Sequence, residues 1–257
     1  MDPGLRVATT SGVTRLTLTR PAARNSLTQS LCAAIRGALS AAAADPQCRA
    51  LVIEGSGGSF ASGADLAELD ELHGQRERLL ANYRELRETQ EQLYALDRPT
   101  VAAVDGYCLG AGLSLALACD LCVATPRSVF AAPPARLGLL YSDREVWRLA
   151  LRIGFAHSRD LLFTGRRVSA AEAFALGLIE RVSEVDGLDA VLDELIGQFA
   201  ACAPRALRQT KQQLLRLERD GAAGVGDDTL AEQALFAADG VEGIRAFRER
   251  RAPRFQP

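Results

Sequence analysis

Residues 98–125 read RPTVAAVDGYCLGAGLSLALACDLCVAT. Pro99 precedes an apolar run, Thr100 to Val104, of the kind that forms a buried strand. Glycines 106, 110 and 112 bracket a sharp turn, Leu113 to Cys119 follows as a helix of small residues, and Leu121 to Thr125 reads as a second strand. A strand that enters a glycine-rich turn and opens a helix leaves backbone N–H groups unpaired at the positive end of the helix dipole. Such a turn can hold an anion, or an oxygen that becomes one during reaction.

Upstream, residues 5–9 and 12–19 form a strand pair, the second alternating apolar and polar in VTRLTLT. Residues 20–28, RPAARNSLT, are a turn whose Thr28 caps a helix reaching Ala44, with Leu31, Ala34, Ile35, Ala38 and Leu39 on its inner face. Cys48 to Glu54 is a buried strand. The loop GSGGSFASG (55–63) is too rich in glycine and serine for a regular element. GADLAEL opens a short helix, and a charged helix covers Gln75–Leu96. Downstream, the pattern predicts helices over 143–153, 156–163 and 170–176, a strand over 178–182, and helices over 187–202, 204–219, 228–238 and 240–250, with GAAGVGDD (221–228) as a hinge. Strands alternating with helices predict an α/β fold of right-handed βαβ succession, followed by a helical region. The boundary is expected near residue 200, giving a core over 1–200 and a helical C-terminal region over 201–257.

Composition narrows the function. The chain has 257 residues, 48% apolar and 24% charged, with a net charge of −2 and so no basic stripe for nucleic acid. The N-terminus lacks a signal-peptide pattern and no apolar run reaches membrane length, so a cytoplasmic protein without membrane partners is expected. Six cysteines are too sparse for a disulfide scaffold, and Cys119-x-x-Cys122 lacks a second pair or histidines at ligand spacing; it reads as two buried thiols, with no metal. Lys211 is the sole lysine, so any Schiff base would have to use it.

Three chemistries meet the glycine turn. Gly110-Ala111-Gly112 starts a dinucleotide fingerprint, but Leu115 stands where the next glycine belongs and no acidic residue follows at the required distance. Gly112-Leu113-Ser114-Leu115-Ala116 approximates a nucleophile elbow, yet His73 and His157 do not complete the order serine, acid, histidine. The third uses two loops, FASGADL (60–66) and GYCLGAGLSLALACD (106–120). Each ends a strand and opens a helix, and on neighbouring parallel strands they can aim two backbone N–H groups at one carbonyl oxygen.

RPAARNSL, ALVIEGSGGSFASGADL, the 98–125 stretch, FTGRRVSAAEAFALGLIERV and AFRERRAPRF occur in this order along nearly the whole chain. By these motifs the chain resembles the crotonase superfamily, the enoyl-CoA hydratase/isomerase family. The resemblance implies a crotonase-like spiral of repeated ββα units with a helical C-terminal region, assembled as homotrimers or hexamers. It implies an acyl-CoA substrate, or a thioester on a carrier protein, with coenzyme A as part of the substrate and no other cofactor. The oxyanion-hole amides would be those of Ala64 and Ala111, Arg24 would lie near the nucleotide part of coenzyme A, and Ser62, Gly63, Asp65, Leu66, Gly110, Ser114 and Pro134 would line the substrate site.

Hydratases of this family resemble one another in using two glutamates; at the corresponding positions this chain has Ser114 and Pro134, neither of which does carboxylate chemistry. Asp143 and Glu145 are the nearest acids to a third family position, Ser142, and Asp143 also reads as a helix cap. The segment RLGLLYS (136–142) is similar to methylmalonyl-CoA-type decarboxylases in its Tyr141, although those enzymes carry a histidine and an acid where Ala64 and Ser114 stand. Tyr141 and Asp143 are therefore the candidate catalytic side chains. Decarboxylation is the first expectation, isomerisation or hydration through Asp143 or Glu145 the second, and acyl-CoA binding without chemistry the third.

Overall fold

The computed structural model describes residues 2–227 and 229–255. In chain order its elements are β1 (Leu5–Thr10), β2 (Val13–Leu18), α1 (Gln29–Ala44), β3 (Ala50–Gly55), β4 (Ser59–Ala61), α2 (Leu66–Glu71), α3 (Arg76–Tyr94), β5 (Thr100–Val104), β6 (Tyr107–Leu109), α4 (Ala111–Leu117), β7 (Leu121–Ala124), β8 (Val129–Ala131), α5 (Asp143–Thr164), β9 (Arg167–Ser169), α6 (Ala170–Ala175), β10 (Arg181–Val182), α7 (Leu188–Ala200), α8 (Pro204–Asp220), α9 (Thr229–Phe236) and α10 (Ala238–Arg248).

Two sheets organise them. The larger runs β1-β2-β3-β5-β7-β10, and the smaller β4-β6-β8-β9. In three successive repeats the first strand joins the larger sheet and the second the smaller: β3 then β4, β5 then β6, β7 then β8. The repeats stack in parallel, so Leu16, Ile53, Ala102 and Cys122 form one row across four strands. That face joins the main core, with Phe60, Phe130, Leu113 and Leu115. The opposite face, Val52, Val101, Ala103 and Val123, packs against Leu192 and Leu195 of α7. Burial on both faces is why these strands read as unbroken apolar runs.

Thr28 caps α1 as its position predicts, accepting the Leu31 N–H at 3.2 Å. Four short strands were not legible. The 55–63 stretch is not wholly irregular, since β4 lies in it, β6 occupies the middle of the glycine turn, and β8 and β9 pair with each other. Such strands have too few residues to show a period. The strand expected over 178–182 shrinks to β10. The two helices expected over 143–153 and 156–163 are both present, joined end to end in α5 and separated by non-helical backbone at Gly154 (φ 72°, ψ 163°); His157 lies in the second, exposed. The hinge holds a 3-10 turn at Gly221–Gly224, while Asp228, its last residue and the expected start of the next helix, lies outside the described residues. Among the described residues no helix is long and apolar enough to cross a membrane.

The sheets meet where α4 lies on β4. A Cβ at Gly112 would stand 2.3 Å from the Ala61 carbonyl oxygen and 2.8 Å from the Ala61 Cβ. Since the obstacle is backbone, Gly112→Ala should destabilise the fold by about 1–3 kcal/mol, the ordinary cost of overpacking. Chemical denaturation measures it, and an unchanged midpoint would show that α4 can lift off β4 freely.

Candidate active site

The turn after β4 and the turn after β6 face each other through their glycines. Gly63 has φ +117°, and a Cβ there would lie 3.3 Å from the Leu109 carbonyl oxygen and 3.7 Å from the Ala111 nitrogen. Gly110 has φ 53° and ψ −123°, a conformation that a side chain disfavours, and its own Cβ position is 3.8 Å from the Gly63 Cα. Each glycine is followed by an alanine. Among the described residues neither the Ala64 N–H nor the Ala111 N–H has a partner in the chain. Ala111 is the first residue of α4, where a free N–H is the rule.

The Gly63 side is held by the turn before α1. The Leu27 N–H donates to the Gly63 carbonyl at 2.8 Å, the Asp65 N–H to the Leu27 carbonyl at 3.0 Å, and the Ser62 N–H to the Arg24 carbonyl at 3.0 Å. Arg24 and Asn25 both have positive φ, 50° and 54°. Asn25 is fully buried; its side chain accepts the Arg20 N–H at 2.8 Å and donates to the Ser59 carbonyl at 2.6 Å. Local bonding of this kind makes asparagine tolerant of the left-handed region. The Arg24 side chain is exposed, with its guanidinium 5.3 Å from the Tyr107 ring centre, and Arg167 stands 5.8 Å from the same ring. Leu66 is 55% exposed beside the turn.

Asp65 caps α2, accepting the Glu68 N–H at 3.2 Å, the Ser26 hydroxyl at 2.8 Å and the Arg20 guanidinium at 2.9 Å. Burial disfavours its charge, but the Ser26, Glu68 and Arg20 bonds outweigh that and hold its carboxyl below the usual carboxylate range.

The Gly110 side is held by the segment after β8. The Gly110 N–H donates to the Ala131 carbonyl at 2.9 Å, and the Tyr141 hydroxyl donates to the Gly110 carbonyl at 2.8 Å. Ser114 is 2% exposed, with its Oγ 3.4 Å from the same carbonyl, and neither His73 nor His157 bonds it. Burial raises the Tyr141 phenol far above its ordinary pKa; the Ser114 hydroxyl opposes that, and the Glu145 charge adds to it. Pro134 opens a 3-10 turn, Pro134–Leu137, that follows β8. The apolar stretch ahead of Tyr141, Leu137 to Leu140, is exposed; Leu140 is 88% exposed.

Asp143 does not cap α5; Ser142 does, in a capping box in which its Oγ accepts from the Glu145 N–H while its own N–H donates to Glu145 Oε2 at 2.8 Å. Glu145 is buried in that box. Asp143 lines a cavity with Glu91, Tyr94, Trp147 and Gln212, none of them from the two glycine turns. The structure therefore brings together Gly63, Ala64, Gly110, Ala111, Ser114 and Tyr141 and leaves Asp143 apart. Lys211 is buried in α8 and bonds the Arg98 carbonyl at 2.9 Å and Asp120 at 2.7 Å, a structural tie rather than a free amine. Cys119 and Cys122 are buried free thiols; burial pushes both up, Cys119 to about 12. Sequence reasoning missed the Leu27 N–H, the Ala131 carbonyl and Tyr107, because each is placed by pairing between distant strands or turns.

A family model described as "Enoyl-CoA hydratase/isomerase" matches residues 8–257. Among curated relatives, the bovine "Enoyl-CoA hydratase domain-containing protein 2, mitochondrial" is 36% identical over 251 residues, covering 95% of this chain and 84% of its own. The "2,3-dehydroadipyl-CoA hydratase" of Escherichia coli K12 is 36% identical over 250 residues, covering 94% of each. Among solved structures, the enoyl-CoA hydratase from Bacillus anthracis superposes with a TM-score of 0.92 at 29% identity, covering 98% of both chains.

Asp65 offers a pH test of the Gly63 side. Its folded pKa lies below the unfolded value of about 3.9, so its contribution is complete above that pH and fades as the pH falls toward the folded value. Asp65→Asn should therefore melt at a lower temperature than the wild type at pH 7. The gap should narrow below about pH 4, and a constant gap would remove the charge from the explanation.

Proposed function

The chain belongs to the enoyl-CoA hydratase/isomerase family, the crotonase superfamily, and from that premise we propose that it is an acyl-CoA enzyme that stabilises a thioester enolate without the glutamate pair. The observation that carries this reading is the pair of unpartnered N–H groups, Ala64 and Ala111, on two glycine turns in contact. Donors fixed in place before reaction stabilise developing negative charge on a carbonyl oxygen without reorganising. Glycine at both turns lets the thioester approach the backbone.

The side chains around that pair favour a reaction that starts without a base. Ser114 and Pro134 supply no carboxylate, Glu145 is engaged by Ser142, and Asp143 lines another cavity. The relatives above are named hydratases, and this chain departs from that chemistry where the family places its acids. Decarboxylation fits: the bond between the α-carbon and a substrate carboxylate breaks, carbon dioxide leaves, and the electron pair passes to the thioester oxygen as an enolate held by the two N–H groups. The α-carbon then takes a proton from water. A buried site lined by Ser114 and a neutral Tyr141 disfavours solvation of the departing carboxylate, which helps the bond break.

Coenzyme A enters as part of the substrate, and the exposed Arg24 guanidinium suits a phosphate. A trimer or hexamer follows from the same reading. Phe236 and Phe247 are 84% and 85% exposed on α9 and α10, areas that association would cover.

Methylmalonyl-CoA and crotonyl-CoA separate the reactions. Carbon dioxide release from the first with only trace hydration of the second is expected; hydration at about 10–10³ s⁻¹ would overturn the reading. In the double variant Ser114→Glu, Pro134→Glu, trace hydration should rise by up to about 10²-fold, the lower end of what positioned acid–base groups supply. No gain would mean that these two positions do not face the acyl group.

A further inference from the structure

The Gly110–Ala111 peptide has two working ends. Its N–H is the donor assigned above to the thioester oxygen. Its carbonyl accepts the Tyr141 hydroxyl at 2.8 Å and the Ser114 N–H at 3.0 Å, with the Ser114 Oγ at 3.4 Å. The matching peptide, Gly63–Ala64, has its carbonyl bonded by the Leu27 N–H at 2.8 Å. The two ends of a peptide are conjugated: a bond accepted at the carbonyl draws electron density from the nitrogen and makes the N–H a better donor, by roughly 10–30% per bond. We infer that Tyr141 is a positioning residue for the oxyanion hole, its hydroxyl orienting and polarising the peptide that presents the Ala111 N–H. The inference rests on the oxyanion reading and extends it to a side chain that acts through the Ala111 N–H.

The geometry gives the bond a second effect. Gly110 holds φ 53° and ψ −123°, and without a side chain its peptide plane turns easily. Its N–H is fixed by the Ala131 carbonyl and its carbonyl by the Tyr141 hydroxyl, from the two ends of one segment, 131–141. That segment grips Gly110 on both sides while its middle, Leu137 to Leu140, stands out at the surface. The Gly63 carbonyl is bonded by main chain, the Leu27 N–H, whereas at Gly110 the Tyr141 side chain adds its bond to that of the Ser114 N–H, so one substitution can remove the added bond. With its proton held by the Gly110 carbonyl, the phenol is also badly placed to serve as a general acid.

The test binds cinnamoyl-CoA, ¹³C-labelled at its carbonyl, and reads the carbonyl stretch by infrared difference and the ultraviolet red shift of the conjugated thioester. The wild type should lower the carbonyl frequency. Tyr141→Phe should bind with similar affinity yet lose part of that shift. Its kcat should fall about tenfold, short of the 10²–10³ that loss of a whole donor costs, with KM little changed. Ser114→Ala, which keeps the 3.0 Å main-chain bond, should lose less of the shift than Tyr141→Phe. Should Tyr141→Phe fail to fold, 3-fluorotyrosine placed at 141 tests the same bond in the opposite sense, since a stronger donor should deepen the shift. A full wild-type shift in Tyr141→Phe, or no deepening with fluorotyrosine, overturns the inference while sparing the oxyanion hole; a fall in kcat with the shift intact would instead make Tyr141 a proton donor. No shift in the wild type would overturn the oxyanion reading, and this one with it.

Discussion

Everything at the site depends on how closely backbone can approach backbone where the two sheets meet. At Gly112 and Gly55 an added Cβ would fall within 2.3 Å and 2.1 Å of a carbonyl oxygen, and at Gly106 within 2.1 Å. With no side chain between them, β4 and β6 lie side by side and the turns that follow them touch. Two N–H groups from distant parts of the chain, Ala64 and Ala111, thereby reach one place. A helix start leaves a donor free, but only this contact makes two of them neighbours.

Contact alone would not hold the peptides in one orientation, and buried polar groups complete the arrangement. Asn25, Asp65 and Arg20 tie the turn before α1 to the strand end at Ser59 and to the start of α2. The Ala131 carbonyl and Tyr141 do the same for Gly110. Farther off, Lys211 fastens α8 to the beginnings of β5 and β7 through Arg98 and Asp120, and Tyr94 bonds Glu218. Buried polar groups are costly when unpaired and specifying when paired, so these networks select one relative placement of loops that carry little apolar surface of their own.

Function on such a frame is set by what surrounds the donors. A carboxylate beside them would activate water. In the proposed reading, the buried Ser114 hydroxyl and the neutral Tyr141 phenol leave polarisation of the carbonyl as the main service of the site. The reaction proposed above, which begins by breaking a substrate bond rather than by removing a proton, asks for no more than that.

The sequence by itself determined the parallel strands, because strands alternate with helices along the first half of the chain, and it determined the positions of the glycine turns, because a strand, glycines and a small-residue helix admit few other readings. It also located the capped start of α1 and, through ordered motifs, the family. The tertiary structure alone decided β4, β6, β8 and β9, whose three residues each are too short for a period and exist only through pairing with one another. It decided that Ser142, not Asp143, caps α5, since both residue types suit the position and only the Glu145 bond distinguishes them. It decided the bonding of Tyr141, because the Tyr141–Gly110 contact spans thirty-one positions and no local pattern encodes it. Local chemistry is written in neighbours along the chain; the partners of a side chain are written in the packing.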